Sequence, residues 1–238
     1  MKEYKNDIHA MDVKSMFIHD MFNICALGGI LILVCRYLHM NYSSLTNMID
    51  NSSQYSEVRI MNNENDDGCN LFVFIMRTLY AYLIVDMFWV VLFPRCIPSS
   101  RFSIVMHHIV TMILITPPYM YIEFNSWSWL TCVTLLVELN TLCLISRRNI
   151  SSKRYFYKVA NICFYLTWIV QRLIMFPTLT YFYYDAWITY SKFIGRYWNV
   201  LSVAPFGGLI LTCLNYYWTI QLLQKNQNLR DQTEEKKS

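Results

Sequence analysis

Two adjacent histidines, His107 and His108, lie inside the apolar run RFSIVMHHIVTMILITPPYMY that spans residues 101–121. An imidazole serves as general base, nucleophile or metal ligand, and an ionisable pair within hydrocarbon is costly unless it is paired or used. Two carboxylates occur in neighbouring apolar runs, Asp86 before the doublet and Glu138 after it, with Asn140 beside the second. A carboxylate in hydrocarbon must face the interior and meet a donor, and the histidines are the nearest candidates. Such a pairing fixes the ring tautomer, which is what a general base or a nucleophilic imidazole needs. The candidate catalytic groups are therefore His107, His108, Glu138 and Asp86. The same contacts would also simply hold four helices together.

These residues need helices that cross a membrane. The chain of 238 residues is 55% hydrophobic and 16% aromatic, with only 15% charged residues, against ~25% in an ordinary soluble domain. This composition predicts an all-α, polytopic transmembrane helical bundle of about six spans, since ~20 apolar residues cross a bilayer. The spans read as residues 17–38, 71–93, 102–121, 127–145, 159–177 and 200–223, forming one domain over 17–223. The first is too long for a signal-peptide core and lacks a small-residue cleavage site, so it reads as a retained span. Gly28 and Gly29 at its middle suggest close helix packing. Pro117 and Pro118 mark the end of the third run, and the fifth, Val159 to Pro177, is extended by the aromatic segment TYFYYDAW, which suits the lipid headgroup belt. Residues 1–16 form a charged N-terminal segment, 39–70 a polar loop, and 224–238 a charged tail with the composition of a disordered segment.

Basic residues give the orientation. With six spans, one side holds Lys2, Lys5, Lys14, Arg95, Arg101, Arg147, Arg148, Lys153, Arg154, Lys158, Lys225, Arg230, Lys236 and Lys237, and the other Arg36, Arg59, Lys192 and Arg196. The positive-inside rule then places both termini in the cytosol. The glycosylation acceptors Asn41 and Asn51 fall in the first loop, on the opposite side, whereas Asn149 matches the same pattern but faces the cytosol.

Depth sorts the polar residues. Counting ~1.5 Å per residue from the cytosolic end of each run, Asp86, His107, His108, Glu138 and Asn140 come out roughly 7 to 12 Å deep. Asn161 falls at a similar level, while Arg77 and Arg172 come out roughly 24 Å from the cytosolic side. Asn140, Asn161, Arg77 and Arg172 are the candidates for gripping a substrate.

Other chemistries find less support. Histidine-rich di-metal sites need many more histidines, grouped as HxxxH or HxxHH, and only His9, His19 and His39 remain, so no metal is expected. The eight cysteines show no CxxC spacing. The net charge of +4 punctuates spans instead of forming a basic face, which argues against a nucleic-acid partner. No glycine-rich phosphate loop, nucleophile elbow or dinucleotide fingerprint is present.

The segments HHIVT in one run, VELNTLCLISRRN closing the next and IVQRLIMFP in the one after resemble the TLC-domain family. This is the membrane fold of ceramide synthases, translocation-associated membrane proteins and several lipid-homeostasis proteins. The resemblance implies a helical bundle around a lipid-sized cavity with His107 and His108 as its polar centre. In ceramide synthases it also implies N-acyl transfer from acyl-CoA to a sphingoid base. Ceramide synthases follow the doublet with a segment bearing two aspartates, and here the stretch reads VELNT, so the likeness is closer to the non-synthase branch. The expectation is a membrane-lipid role in the endoplasmic reticulum or another endomembrane. Either acyl-CoA enters as a co-substrate, with no further cofactor, or a lipid is bound or sensed without bond-making. A membrane lipid and acyl-CoA are the expected partners, and the bundle leaves room for a homodimer.

Overall fold

The structure is a computed structural model that describes residues 2–42, 67–93, 101–120, 128–151 and 155–235. Asn51, most of the polar loop, the 94–100 linker with Arg95, and Lys153 and Arg154 lie outside the described residues. The described chain is helical, without strands. Its helices are α1 (Lys2–Met40), α2 (Asp67–Leu92), α3 (Arg101–Met120), α4 (Ser128–Leu135), α5 (Glu138–Asn149), α6 (Tyr155–Thr167), α7 (Phe176–Ile194) and α8 (Val203–Glu235). A π-helix, Trp168–Met175, joins α6 to α7, and a 3-10 turn, Val200–Ser202, precedes α8.

Five stretches are long and apolar enough to cross a bilayer: Val13–Met40, Asp67–Leu92, Ser128–Asn149, Tyr155–Ile194 and Val200–Lys225. The shorter apolar helix Arg101–Pro117 makes the sixth. In hydrocarbon each backbone N–H and C=O must be satisfied within its own segment, which leaves helices as the form these runs can take. The six spans pack as a closed ring in the order first, second, third, sixth, fifth, fourth, and back to the first. Large apolar side chains such as Phe74, Phe88, Ile113, Ile174 and Phe182 point outward from it, where lipid receives them. Leu27, Ile30, Val34, Ile75, Met76 and Ile115 fill the contacts between helices.

Several boundaries differ from those read in the sequence. Helix α1 begins at Lys2, so the charged N-terminal segment continues the first span as helix. Pro177 does not end the fifth span, because it falls in the first turn of α7, where its missing N–H costs no hydrogen bond. Helix α8 runs to Glu235, through a segment of Gln, Lys, Leu, Arg and Glu whose helix propensity is high. A Cβ on Gly28 or Gly29 would meet nothing within 4 Å, so those glycines do not mark close packing. That role falls to Gly207 and Gly208, where an added Cβ would lie 3.1 Å from Leu114 Cδ1 and 2.9 Å from Thr180 Oγ1. They let α8 approach α3 and α7 together.

Two irregularities face each other across the fourth and fifth spans. Between α4 and α5 the chain tightens, with i to i−3 bonds such as Val137 N to Thr134 O at 3.2 Å and Asn140 N to Val137 O at 3.1 Å. The π-helix widens the opposite span, and Phe176 N donates to Gln171 O five residues back. Departures of both kinds recur at functional positions.

Candidate functional site

Successive residues on a helix point about 100° apart, so the two histidines of the doublet cannot share one neighbour. His108 turns toward α2, where its Nε2 donates to Asp86 Oδ2 at 2.6 Å. The second oxygen of the same carboxylate accepts from His19 Nε2 on α1 at 2.7 Å. All three residues are buried, at 4–6% exposure. Asp86 thus bridges two imidazoles. With each Nε2 carrying a proton, the Nδ1 atoms of both rings hold their lone pairs, and neither Nδ1 has a hydrogen-bond partner. The Asn23 side-chain amide lies 3.3 Å from His19 Nε2, and the Trp89 ring sits 5.8 Å from the His19 ring.

One residue further along α1, Asp20 is fully buried and accepts from Arg148 through both of its oxygens. Asn149 Nδ2 adds a third donor at 2.7 Å. His19 Nδ1 stands 4.0 Å from Asp20 Oδ1. The first span is therefore tied to α2 and α3 through His19, and to the basic end of α5 through Asp20.

His107 faces the other way. Its ring meets Trp218 of α8 edge-on at 5.5 Å. It also lines a small internal cavity with Glu138, Thr111, Thr131 and Thr134 and an apolar wall from Leu114 to Leu211. This cavity offers about 20 Å³, room for a single water. The lipid-sized space implied by the family resemblance is not open at this point. Among the described residues Glu138 forms no ion pair with either histidine of the doublet.

Beyond Glu138 lies a buried arginine, 7% exposed. Arg172 Nε donates to Asn140 Oδ1 at 2.8 Å, Nη1 to Asn215 Oδ1 at 2.8 Å and Nη2 to Thr141 Oγ1 at 3.1 Å. Its guanidinium lies over the Trp168 and Trp218 rings at 5.1 and 5.4 Å. Asn140 Nδ2 is also engaged, at 3.0 Å to Phe164 O and 2.9 Å to Thr167 Oγ1. This contact corrects the depth count, which set Arg172 far from Asn140. The fifth span runs from Tyr155 to Ile194 with a π-helix at its middle, so a straight count from residue 159 does not fix the level of Arg172.

A membrane bundle with a histidine doublet on its third span and a basic end to its fourth is now in place. The sequence model of the TLC domain matches residues 29–224. The chain belongs to the TLC-domain family. No curated protein and no solved structure matches it. The six apolar helices and the TLC domain together make it an integral membrane protein.

Within the TLC match fall Asp86, His107, His108, Glu138, Asn140 and Arg172, whereas His19, Asp20 and Asn23 precede it. The structure brings Asp86 to His108, His107 to Glu138 and Asn140 to Arg172. It does not bring Arg77 or Asn161 to them. Arg77 is exposed and its Nε reaches Tyr119 Oη at 3.4 Å, while Asn161 Oδ1 accepts from Arg147 Nη1 at 3.0 Å. Asn41 lies at the far end of α1, its Nδ2 donating to Tyr37 O at 2.9 Å. Sequence reasoning passed over His19, Asp20, Thr141, Asn215, Trp168 and Trp218. A signal for the first two was present, since His19 and Asp20 are an ionisable pair inside an apolar run.

Proposed function

We propose that this TLC-domain protein acts in membrane-lipid metabolism or homeostasis, in the non-ceramide-synthase branch. Its reaction transfers an acyl group from acyl-CoA to a lipid amine or hydroxyl. The observation that carries this reading is the bond from His108 Nε2 to Asp86, which leaves His108 Nδ1 as a basic nitrogen without a polar partner. His108 Nδ1 takes the proton of the acceptor amine or hydroxyl as that group attacks the thioester carbonyl, and returns it to the departing thiolate. His107 and Glu138 both line the small cavity. Arginines and lysines on the basic side draw in the CoA phosphates. That side is the cytosol and both termini are cytosolic, in keeping with the asymmetry of basic residues, and the membrane is that of the endoplasmic reticulum or another endomembrane.

A second reading is favoured by the size of the cavity. With room for one water beside His107 and Glu138, an acyl chain must displace side chains to enter, as in a protein that senses lipid without bond-making. The chain reconstituted in nanodiscs with isotope-labelled acyl-CoA, sphingoid bases and lysolipids separates the two. A labelled lipid lost in His107→Ala/His108→Ala establishes transfer and identifies the acceptor. A defined lipid retained by wild type, with no label moved, establishes sensing.

A further inference from the structure

The TLC match starts at residue 29, yet one of the two hydrogen bonds on Asp86 comes from residue 19. We propose that His19 is a positioning residue for the doublet. By holding Asp86 Oδ1, it fixes the carboxylate so that Oδ2 keeps His108 in the Nε2–H tautomer with its Nδ1 lone pair free.

The geometry needs a second holder. Asp86 is 4% exposed, and among the described residues its carboxylate bonds only the two imidazoles, at 2.6 and 2.7 Å. Remove His19 and Oδ1 becomes a buried acceptor without a donor, free to swing toward His108 or away from it. His19 is in turn held from several sides. The Trp89 ring is 5.8 Å away, and Asp20, one residue on, is locked to Arg148 and Asn149 of α5. The first span is therefore set in height and rotation by an anchor independent of the doublet, and that anchor aims His19. The remaining ionisable neighbours come from every side of the clamp. Tyr82 stands on α2, His107 has its ring centre 5.6 Å from that of His108 on α3, Glu138 is on α5, and Arg172 is on the π-helix.

The proposal rests on His108 being the base, and its test reads the ring itself. The full chain, labelled with ¹⁵N in its histidine rings and held in nanodiscs, is compared with His19→Leu, which removes the donor, and His19→Gln, which keeps an N–H. Wild type and His19→Gln are expected to show a single His108 state, protonated at Nε2. His19→Leu is expected to show mixed tautomers and label transfer lowered by roughly 10²-fold. A single Nε2–H state in folded His19→Leu overturns the proposal. If the Leu variant does not fold, wild type decides. A mixture of His108 tautomers in wild type, with His19 in place, overturns it. The two readings fail separately: a His19-dependent tautomer without label transfer removes the acyl chemistry and leaves the positioning role intact.

Discussion

At the scale of single residues, the site is two separate polar arrangements. One is the carboxylate bridge among His19, Asp86 and His108; the other is the guanidinium of Arg172 held by Asn140, Asn215 and Thr141. Asp86→Asn presents an N–H₂ to one of two donating rings, so it forces His19 or His108 into the other tautomer. The expected result is loss of label transfer by at least about 10²-fold in a chain that still folds, seen as a changed ¹⁵N pattern. Arg172→Lys keeps the charge but not the fork, and leaves two buried amide oxygens short of donors. It should cost about 1–3 kcal/mol, read as a thermal midpoint lower by several degrees in detergent. Asn140 has both amide hydrogens and its oxygen in use, so Asn140→Ala should also show first in stability. The sequence made Asp86 and His108 visible, because a charge in an apolar run must find a partner. It left His19 unused, because a histidine counted against metal motifs was not weighed as a donor. Nor could residue types show that Arg172 would meet neutral amides, since that depends on helix rotation.

At the scale of elements, the fourth span tightens at 136–140 just where the fifth widens at Trp168–Met175. The pair brings Asn140 and Thr141 opposite Arg172 without a loop inside the bilayer, where free backbone groups could not be satisfied. Hydropathy reports that a span exists but not how it is wound, which is why both irregularities were illegible and the fifth run read as 159–177. The glycines show the same limit. Gly28→Ala, with open space around the position, should leave the thermal midpoint nearly unchanged. Gly208→Val should destabilise by about 1–3 kcal/mol, because its side chain must displace Thr180, itself bonded to Phe176 O and Thr212. A melting comparison of the two variants checks this, and equal losses would contradict the packing described.

At the scale of the whole molecule, the number of spans and their apolar character were legible because bilayer thickness imposes a length on every crossing helix. The order of spans around the ring was not, since it rests on contacts between distant segments. The basic asymmetry predicts that Asn149 stays bare. Between the two acceptors on the other side, Asn51 should carry the glycan in preference to Asn41, whose amide is engaged at the end of α1. Mobility shifts of Asn41→Gln and Asn51→Gln before and after glycosidase treatment test this, and a shift in Asn149→Gln would reverse the orientation. The ring also imposes a schedule. The ribosome releases the chain from its N-terminus, so the first three spans reach the bilayer while the flank of α3 that carries His107 is still bare. That flank is covered only when α8, which follows the other five spans in the chain, slides in between α3 and α7 and brings Trp218 to His107 and Asn215 to Arg172. A chain that has not yet made its sixth span thus has its histidines but not the wall against which they are held, and the site comes into being only when that span arrives.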